Sequence, residues 1–219
     1  TFSIIYVINI KINMIEQIIQ NIVLILCALL SGGVGLRLYD RFVKMKKKQN
    51  AEEFYNDTKE IIDTIDDLVL DPAIDRVLIF RGGNGGSIPK LGKDYFVKAV
   101  FEAHKQHPVV SSLKTFAGVI PDSHYISILL NIMEKKKESI EVQQLPNSLL
   151  KKIYMSENIT FSDIHILCQT EEYIFFCSVS TKQNINFNGD ILVQLKIDNA
   201  ISKLKKMFVK HYIKSFFNV

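Results

Sequence analysis

The chain has 219 residues, 47% hydrophobic and 23% charged, with three cysteines and a formal net charge of +4. That charge is uneven. Residues 51–219 carry 20 Lys and Arg against 21 Asp and Glu, whereas Arg37, Arg41, Lys44, Lys46, Lys47 and Lys48 crowd a short segment opposed only by Asp40. A nucleic-acid binder carries its basic charge on the folded domain, so no nucleic-acid partner is expected.

Residues 1–16 read as an N-terminal extension. The first methionine, Met14, would be the natural start, or residues 1–13 would be the remnant of an earlier membrane segment. Residues 17–36 then hold no charge at all. Twenty helical residues cover roughly 30 Å, the hydrocarbon thickness of a bilayer. A transmembrane helix is therefore expected over 17–38, with a basic juxtamembrane segment over 39–50. A cleaved signal peptide would place its cations before the apolar run, not after it. A buried core helix is the other reading, because Gln17, Gln20, Asn21 and three glycines dilute the run. Cations beside a span are retained on the cytoplasmic side, and they attract anionic headgroups by about 1 kcal/mol each. The expectation is a single-pass protein of the inner or plasma membrane, contacting the lipid bilayer, with a cytoplasmic domain over 51–212 and a tail over 213–219.

Two features suggest a homodimer. Ser31 and Gly35 form a small-xxx-small pair that lets membrane helices approach closely. Phe54, Thr58, Ile61, Ile65 and Leu68 alternate spacings of four and three, as in a coiled-coil seam. The same stripe also suits a helix packed on its own domain.

After Pro72 the period changes. Residues 77–80 predict a strand ended by the glycine-rich 81–86, and residues 95–101 a second strand with Tyr95, Val97, Ala99 and Phe101 on one face. Pro121-Asp122-Ser123 caps a helix to about 136, striped with Tyr125, Ile128, Leu129, Ile132 and Met133. Ile140 and Val142 fit a short strand, and Pro146-Asn147-Ser148 opens a brief helix. Residues 163–168 and 173–180 are apolar and β-rich around a polar turn, a hairpin signature. Asn188-Gly189-Asp190 starts the last helix, with Ile191, Leu195, Ile201, Leu204 and Phe208 expected to face inward. This is an α+β fold: an antiparallel sheet of about five strands flanked by helices, with Phe80, Val97, Ile166 and Phe175 in its core.

Gly82-Gly83-Asn84-Gly85-Gly86-Ser87 is the one stretch suited to phosphate chemistry. A P-loop needs Gly-Lys-Ser/Thr, and Gly92-Lys93-Asp94 fails at the third position. A dinucleotide fingerprint needs a glycine where Ile88 stands. Two readings remain, a turn between strands or a small-ligand site made of backbone amides. The candidate ligand-binding residues are Arg81, Gly83, Asn84, Gly85 and Lys90, with Arg81 and Lys90 supplying positive charge. His104 and His107, beside Glu102, stand three apart where a zinc helix needs four, so no metal is expected. His124 and His165 read as packed or surface histidines. Cys27 falls in the span. Cys168 and Cys177 read as buried free thiols, or as a disulfide in an oxidising compartment. There is no Gly-x-Ser-x-Gly elbow and no spaced carboxylate pair, so neither catalysis nor a cofactor is expected.

The order of elements after Ala51, with the strand and glycine loop of residues 76–86, resembles the GAF-like branch of the GAF/PAS sensory folds. The resemblance covers most of residues 51–212. Joined to the expected span, it implies a membrane-anchored, non-enzymatic domain that senses a small ligand or mediates protein contacts. No cysteine is placed for a bilin and no cyclic-nucleotide motif is present. The layout is also similar to phage holins of the T-even type, which would imply a lysis protein acting through its span. Those proteins hold their domain outside the cytoplasm, whereas residues 37–48 predict inside. Neither resemblance carries a functional residue over.

Overall fold

The computed structural model describes residues 15–24, 34–83, 95–106, 111–170 and 172–216. The chain divides into two units, Thr1–Thr58 and Lys59–Val219. The first contains helix α1 (residues 15–24), whose Ile15, Ile18, Ile19, Ile22 and Leu24 are exposed. Helix α2 spans Val34–Val69 and so includes residues of both units. Arg41 and Lys44 are exposed on α2, and Arg37, Lys46, Lys47 and Lys48 lie along the same helix. Among the described residues no helix is long and apolar enough to cross a membrane. The predicted span runs through residues 25–33, Ser31 included, which lie outside the described residues.

The second unit is built on one sheet. Its strands are β1 (Arg76–Gly83), β2 (Phe96–His104), β3 (Ala117–Val119), β4 (Lys137–Glu141), β5 (Phe161–Gln169) and β6 (Tyr173–Thr181). They pair in the order β3-β2-β1-β6-β5-β4, every neighbour antiparallel. The expected five strands are thus six: the three-residue β3 on the β2 edge has no local pattern to announce it. Short helix α3 (Ser112–Thr115), unforeseen in the sequence, leads into it. Helix α4 (Ser123–Lys135) separates β3 from β4, α5 (Leu149–Ser156) separates β4 from β5, and α6 (Ile191–Phe216) closes the chain.

Successive strand residues point to opposite faces, so the sheet feeds two cores. On one face Val77, Ile79, Phe175, Cys177 and Val179 pack with Ile61, Ile65 and Leu68 of α2 and Ile197, Ile201, Leu204 and Phe208 of α6. On the other, Leu78, Phe80, Val97, Ile164, Ile166 and Phe176 pack with Tyr125, Leu129 and Ile132 of α4 and Leu150, Ile153 and Tyr154 of α5. The four expected core residues Phe80, Val97, Ile166 and Phe175 are all buried, three on the second face and Phe175 on the first. Ile61, Ile65 and Leu68, the end of the predicted stripe, are spent inside this domain, while Phe54 at its start is exposed.

Capping explains the helix starts. Asp122 accepts the Tyr125 N–H at the head of α4 with one carboxylate oxygen and the Leu149 N–H at the head of α5 with the other. Burial alone would raise its pKa, but these bonds outweigh burial and hold the carboxyl below its usual range. Ser148 accepts the Lys151 N–H, and Asp190 accepts the Leu192 and Val193 N–H groups at the start of α6. Helix α4 stops at Lys136, which turns left-handed at φ 68°.

Four expectations need correction. Strand β1 does not end at Phe80 but runs on through Gly82 and Gly83, paired on both sides. Val142, expected in a strand, instead begins a 3-10 turn (Val142–Gln144) after β4, though it is buried. A bulge where Ile79 opposes Phe101 and Phe80 opposes Ala99 turns Phe101 toward the first core, off the face of Tyr95, Val97 and Ala99. In α6 the inward residues are Val193, Ile197, Ile201, Leu204, Met207 and Phe208, whereas Ile191 and Leu195 are 81% and 56% exposed.

Candidate functional site

The predicted glycine site resolves into structural roles where it is described. Gly82 lies beneath Tyr95: a Cβ there would stand 1.9 Å from the phenol oxygen. A Cβ on Gly83 would stand 2.8 Å from the Tyr173 ring. Both glycines are therefore small to admit aromatic rings. The Arg81 guanidinium lies 4.9 Å over the Tyr173 ring. Asn84, Gly85 and Lys90 lie outside the described residues, so of the five predicted site residues Arg81 and Gly83 are placed, both against Tyr173. His107 also lies outside them. His124 is exposed on α4 and His165 is buried in β5, while Cys168 and Cys177 are buried free thiols.

The opposite end of β1 carries a different arrangement. Arg76 opens the strand, and its side chain is turned to the second face with only 1% exposure. Its guanidinium pairs with Glu157 just past α5, donates to Ser180 Oγ at 3.3 Å and lies 5.4 Å over the Tyr154 ring. Its Nε has no partner. Burial pulls the Arg76 pKa down to about 10, with nearby Tyr154, Tyr125 and Glu102 opposing the shift. Behind it runs a buried hydroxyl chain. Ser180 meets Ser162 at 3.1 Å, Ser162 meets Ser178 at 2.8 Å, and the Tyr154 hydroxyl donates to Ser162 at 3.3 Å. Strand pairing sets this chain, because Arg76 and Ser162 each face Ser180 across a ladder.

In front of Arg76 a cleft of about 470 Å³ opens, lined by Asp75, His104, Gln106, Thr115, Glu157 and Lys182 among others. His104 ends β2, and its Nε2 lies 3.4 Å from Ser112 Oγ and 3.5 Å from Glu102 Oε2. A nucleophile relay needs serine and carboxylate on different ring nitrogens. Here both crowd one nitrogen, and Ser112 is fully buried. Burial, with Arg76 and Lys182 adding to it and Glu102 opposing, lowers the His104 pKa below its ordinary value. Burial alone would raise Glu102, but bonds from the Ser111 hydroxyl, the Leu113 N–H and His104 hold it below the usual carboxylate range.

The sequence pattern singles out Glu102 and His104 only as a weak metal pair, and it passes over Arg76, Glu157 and Lys182. One signal is present for the arginine. Arg76 is a charge that opens directly onto the apolar run Val77-Leu78-Ile79-Phe80, and such a charge is either solvated or held in a polar site.

No protein-family model matches the chain, and no curated protein matches it. Solved structures do. The GAF domain of a two-component sensor histidine kinase from Bacillus halodurans is 12% identical with a TM-score of 0.52, over 72% of this chain and 97% of that one. The GAF domain/HD domain protein from Geobacter sulfurreducens is 13% identical with a TM-score of 0.48, over 70% and 93%. The phycoerythrobilin-bound GAF domain from a cyanobacterial phytochrome is 10% identical with a TM-score of 0.48, over 75% and 97%. The mixed helices and six-stranded antiparallel sheet of this chain have the GAF-domain fold.

Proposed function

We propose that this chain is a non-enzymatic sensory domain of GAF fold that binds a small ligand, held at a membrane by its N-terminal segment with the domain on the cytoplasmic side. The observation that carries the sensory reading is the fold it shares with a sensor-kinase domain, together with a polar cleft beside a buried arginine. A GAF fold alone does not name an activity. The cleft supplies the second support, because few convergent polar groups around a pocket of this size suit a small molecule.

The anchor rests on the uncharged residues 17–36 and the six cations that follow. A homodimer would draw on Ser31, Gly35 and the exposed Phe54. The holin-like alternative rests on layout alone, and none of the neighbours described above favours it. The sensory reading is tested by thermal melting of the full chain against metabolites of both charge signs. At least one should raise Tm by about 2 °C or more, and a panel without any stabilising member refutes the reading. Periplasm-only and cytoplasm-only reporters fused after Val219 test the anchor separately: activity of the periplasmic one alone refutes the orientation.

A further inference from the structure

The carboxylate oxygens at and behind the cleft are almost all taken. Asp75 Oδ2 receives the Thr181 hydroxyl at 3.1 Å and the Lys182 N–H at 2.7 Å. Glu157 receives Arg76 through one oxygen and the Ser112 hydroxyl, at 3.4 Å, through the other. Behind them, Glu102 receives Ser111 on one oxygen and Leu113 N–H and His104 on the other. Of these six carboxylate oxygens, only Asp75 Oδ1 takes no donor among the described residues.

The donors are in the opposite state. Arg76 Nε is buried without a partner. Among the described residues the Lys182 ammonium and the Gln106 side-chain amide, both on the rim, have no partner either. Buried donors left unmade are costly, and a ligand that supplies acceptors recovers that energy. The terminal nitrogens of Arg76 are taken by Glu157 and Ser180, so Nε is its one donor nitrogen left, and an arginine N–H beside an ammonium suits the oxygens of a carboxylate or phosphate.

We propose that the cleft holds a small molecule by a carboxylate or phosphate group, which Lys182 and Gln106 meet at the rim and Arg76 meets at the floor. This rests on the sensory reading above and gives it a ligand class. Arg76 and Lys182 balance Glu157 and Asp75 in the lining, but both carboxylates already receive donors, so the Lys182 ammonium is the lining charge without a partner among the described residues. The Lys182 backbone N–H, not its ammonium, carries the bond to Asp75, so a substitution at Lys182 leaves that bond in place.

Thermal melting and titration calorimetry on the full chain decide the matter, with succinate, inorganic phosphate and the dication putrescine as probes at constant ionic strength. Succinate binding without phosphate assigns a carboxylate, and the reverse assigns a phosphate. In either case Lys182→Glu should weaken binding at least tenfold while the circular dichroism spectrum stays unchanged. Phosphate also stabilises proteins by exclusion from their surface, so a shift that survives Lys182→Glu undiminished overturns the proposal. Arg76→Lys, which keeps the charge and loses the unpartnered Nε–H, should also weaken binding if it folds. Stabilisation by putrescine alone overturns the ligand class and leaves the sensory reading standing. If the three probes and the wider metabolite panel all fail, both readings fall.

Discussion

Gly82→Ala sets two effects of opposite sign against each other. Replacing glycine by alanine in a strand normally stabilises, by roughly 0.4–1 kcal/mol, because the unfolded chain loses freedom. Gly82 has no left-handed backbone to forbid the change, so the gain should apply in full. Against it stands contact. The new methyl would sit 1.9 Å from Tyr95 Oη, 2.7 Å from Cζ and 3.1 Å from Ile174 Cγ2. Tyr95 is 3% exposed and Ile174 is fully buried, so neither can swing into solvent. Overpacking of this kind costs about 1–3 kcal/mol. The steric cost outweighs the entropic gain, and we expect a net loss of about 1–2 kcal/mol.

The partner substitution isolates the cause. Tyr95→Phe removes the oxygen at 1.9 Å and leaves the ring carbon at 2.7 Å, so it should recover part of the loss. On its own it should be neutral or stabilising, because the Tyr95 hydroxyl is buried with no hydrogen-bond partner. Urea unfolding of the four chains, followed by far-ultraviolet circular dichroism, gives the coupling energy directly. There is no tryptophan to report the transition otherwise. A Gly82→Ala chain as stable as the parent, or a coupling energy near zero, refutes the close packing of β1 on Tyr95. The glycines would then regain their claim to a ligand.

Two other measurements follow from the structure. Asp122→Ala removes the cap of α4 and the bond to the Leu149 N–H at the head of α5, while Ser148 still caps α5; at about 1 kcal/mol for each bond it should cost about 2 kcal/mol, and Asp122→Asn should keep part of this. Burial, helped by Lys137 and Lys205 and opposed by Asp198, pushes the pKa of His165 down to about 4 from 6.5. The unfolded chain therefore takes up this proton first, so stability complete above pH 6.5 drains away as pH falls toward 4, by about 3 kcal/mol in all. Melting temperatures should fall between about pH 6.5 and 4 in the parent and stay flatter in His165→Gln; parallel profiles would refute the assignment.

What the sequence made legible was local. The hairpin of β5 and β6, the capped start of α4 and the brief α5 each carry their signal within a few residues, as a cap or an alternation. The misses share the opposite property. Phe101 lies off its expected face because a bulge shifts register against β1, and nothing near Phe101 in the chain encodes that. At the head of α6 the run Ile191-Leu192-Val193 offers three apolar residues for one inward position. Only its place in the first core, built largely from strands far off in sequence, selects Val193 over its neighbours. The cleft is the extreme case, since Arg76 and Glu157 stand 81 residues apart.

The two ends of β1 then exchange roles relative to their appearance in sequence. The glycines at its end look like a ligand loop and act, where described, as clearance for Tyr95 and Tyr173. The arginine at its start looks like an ordinary strand boundary and is the most deeply buried cation described. A buried arginine–carboxylate pair is weak support for stability, since well-packed apolar side chains often do as well or better. Arg76 adds an unpartnered Nε and a lowered pKa to that cost, with a filled apolar core immediately beside it on the same face. Local rules broken without a packing gain tend to mark functional sites. That asymmetry, and not the glycine content, is the reason to look for a ligand at the Arg76 end of the sheet.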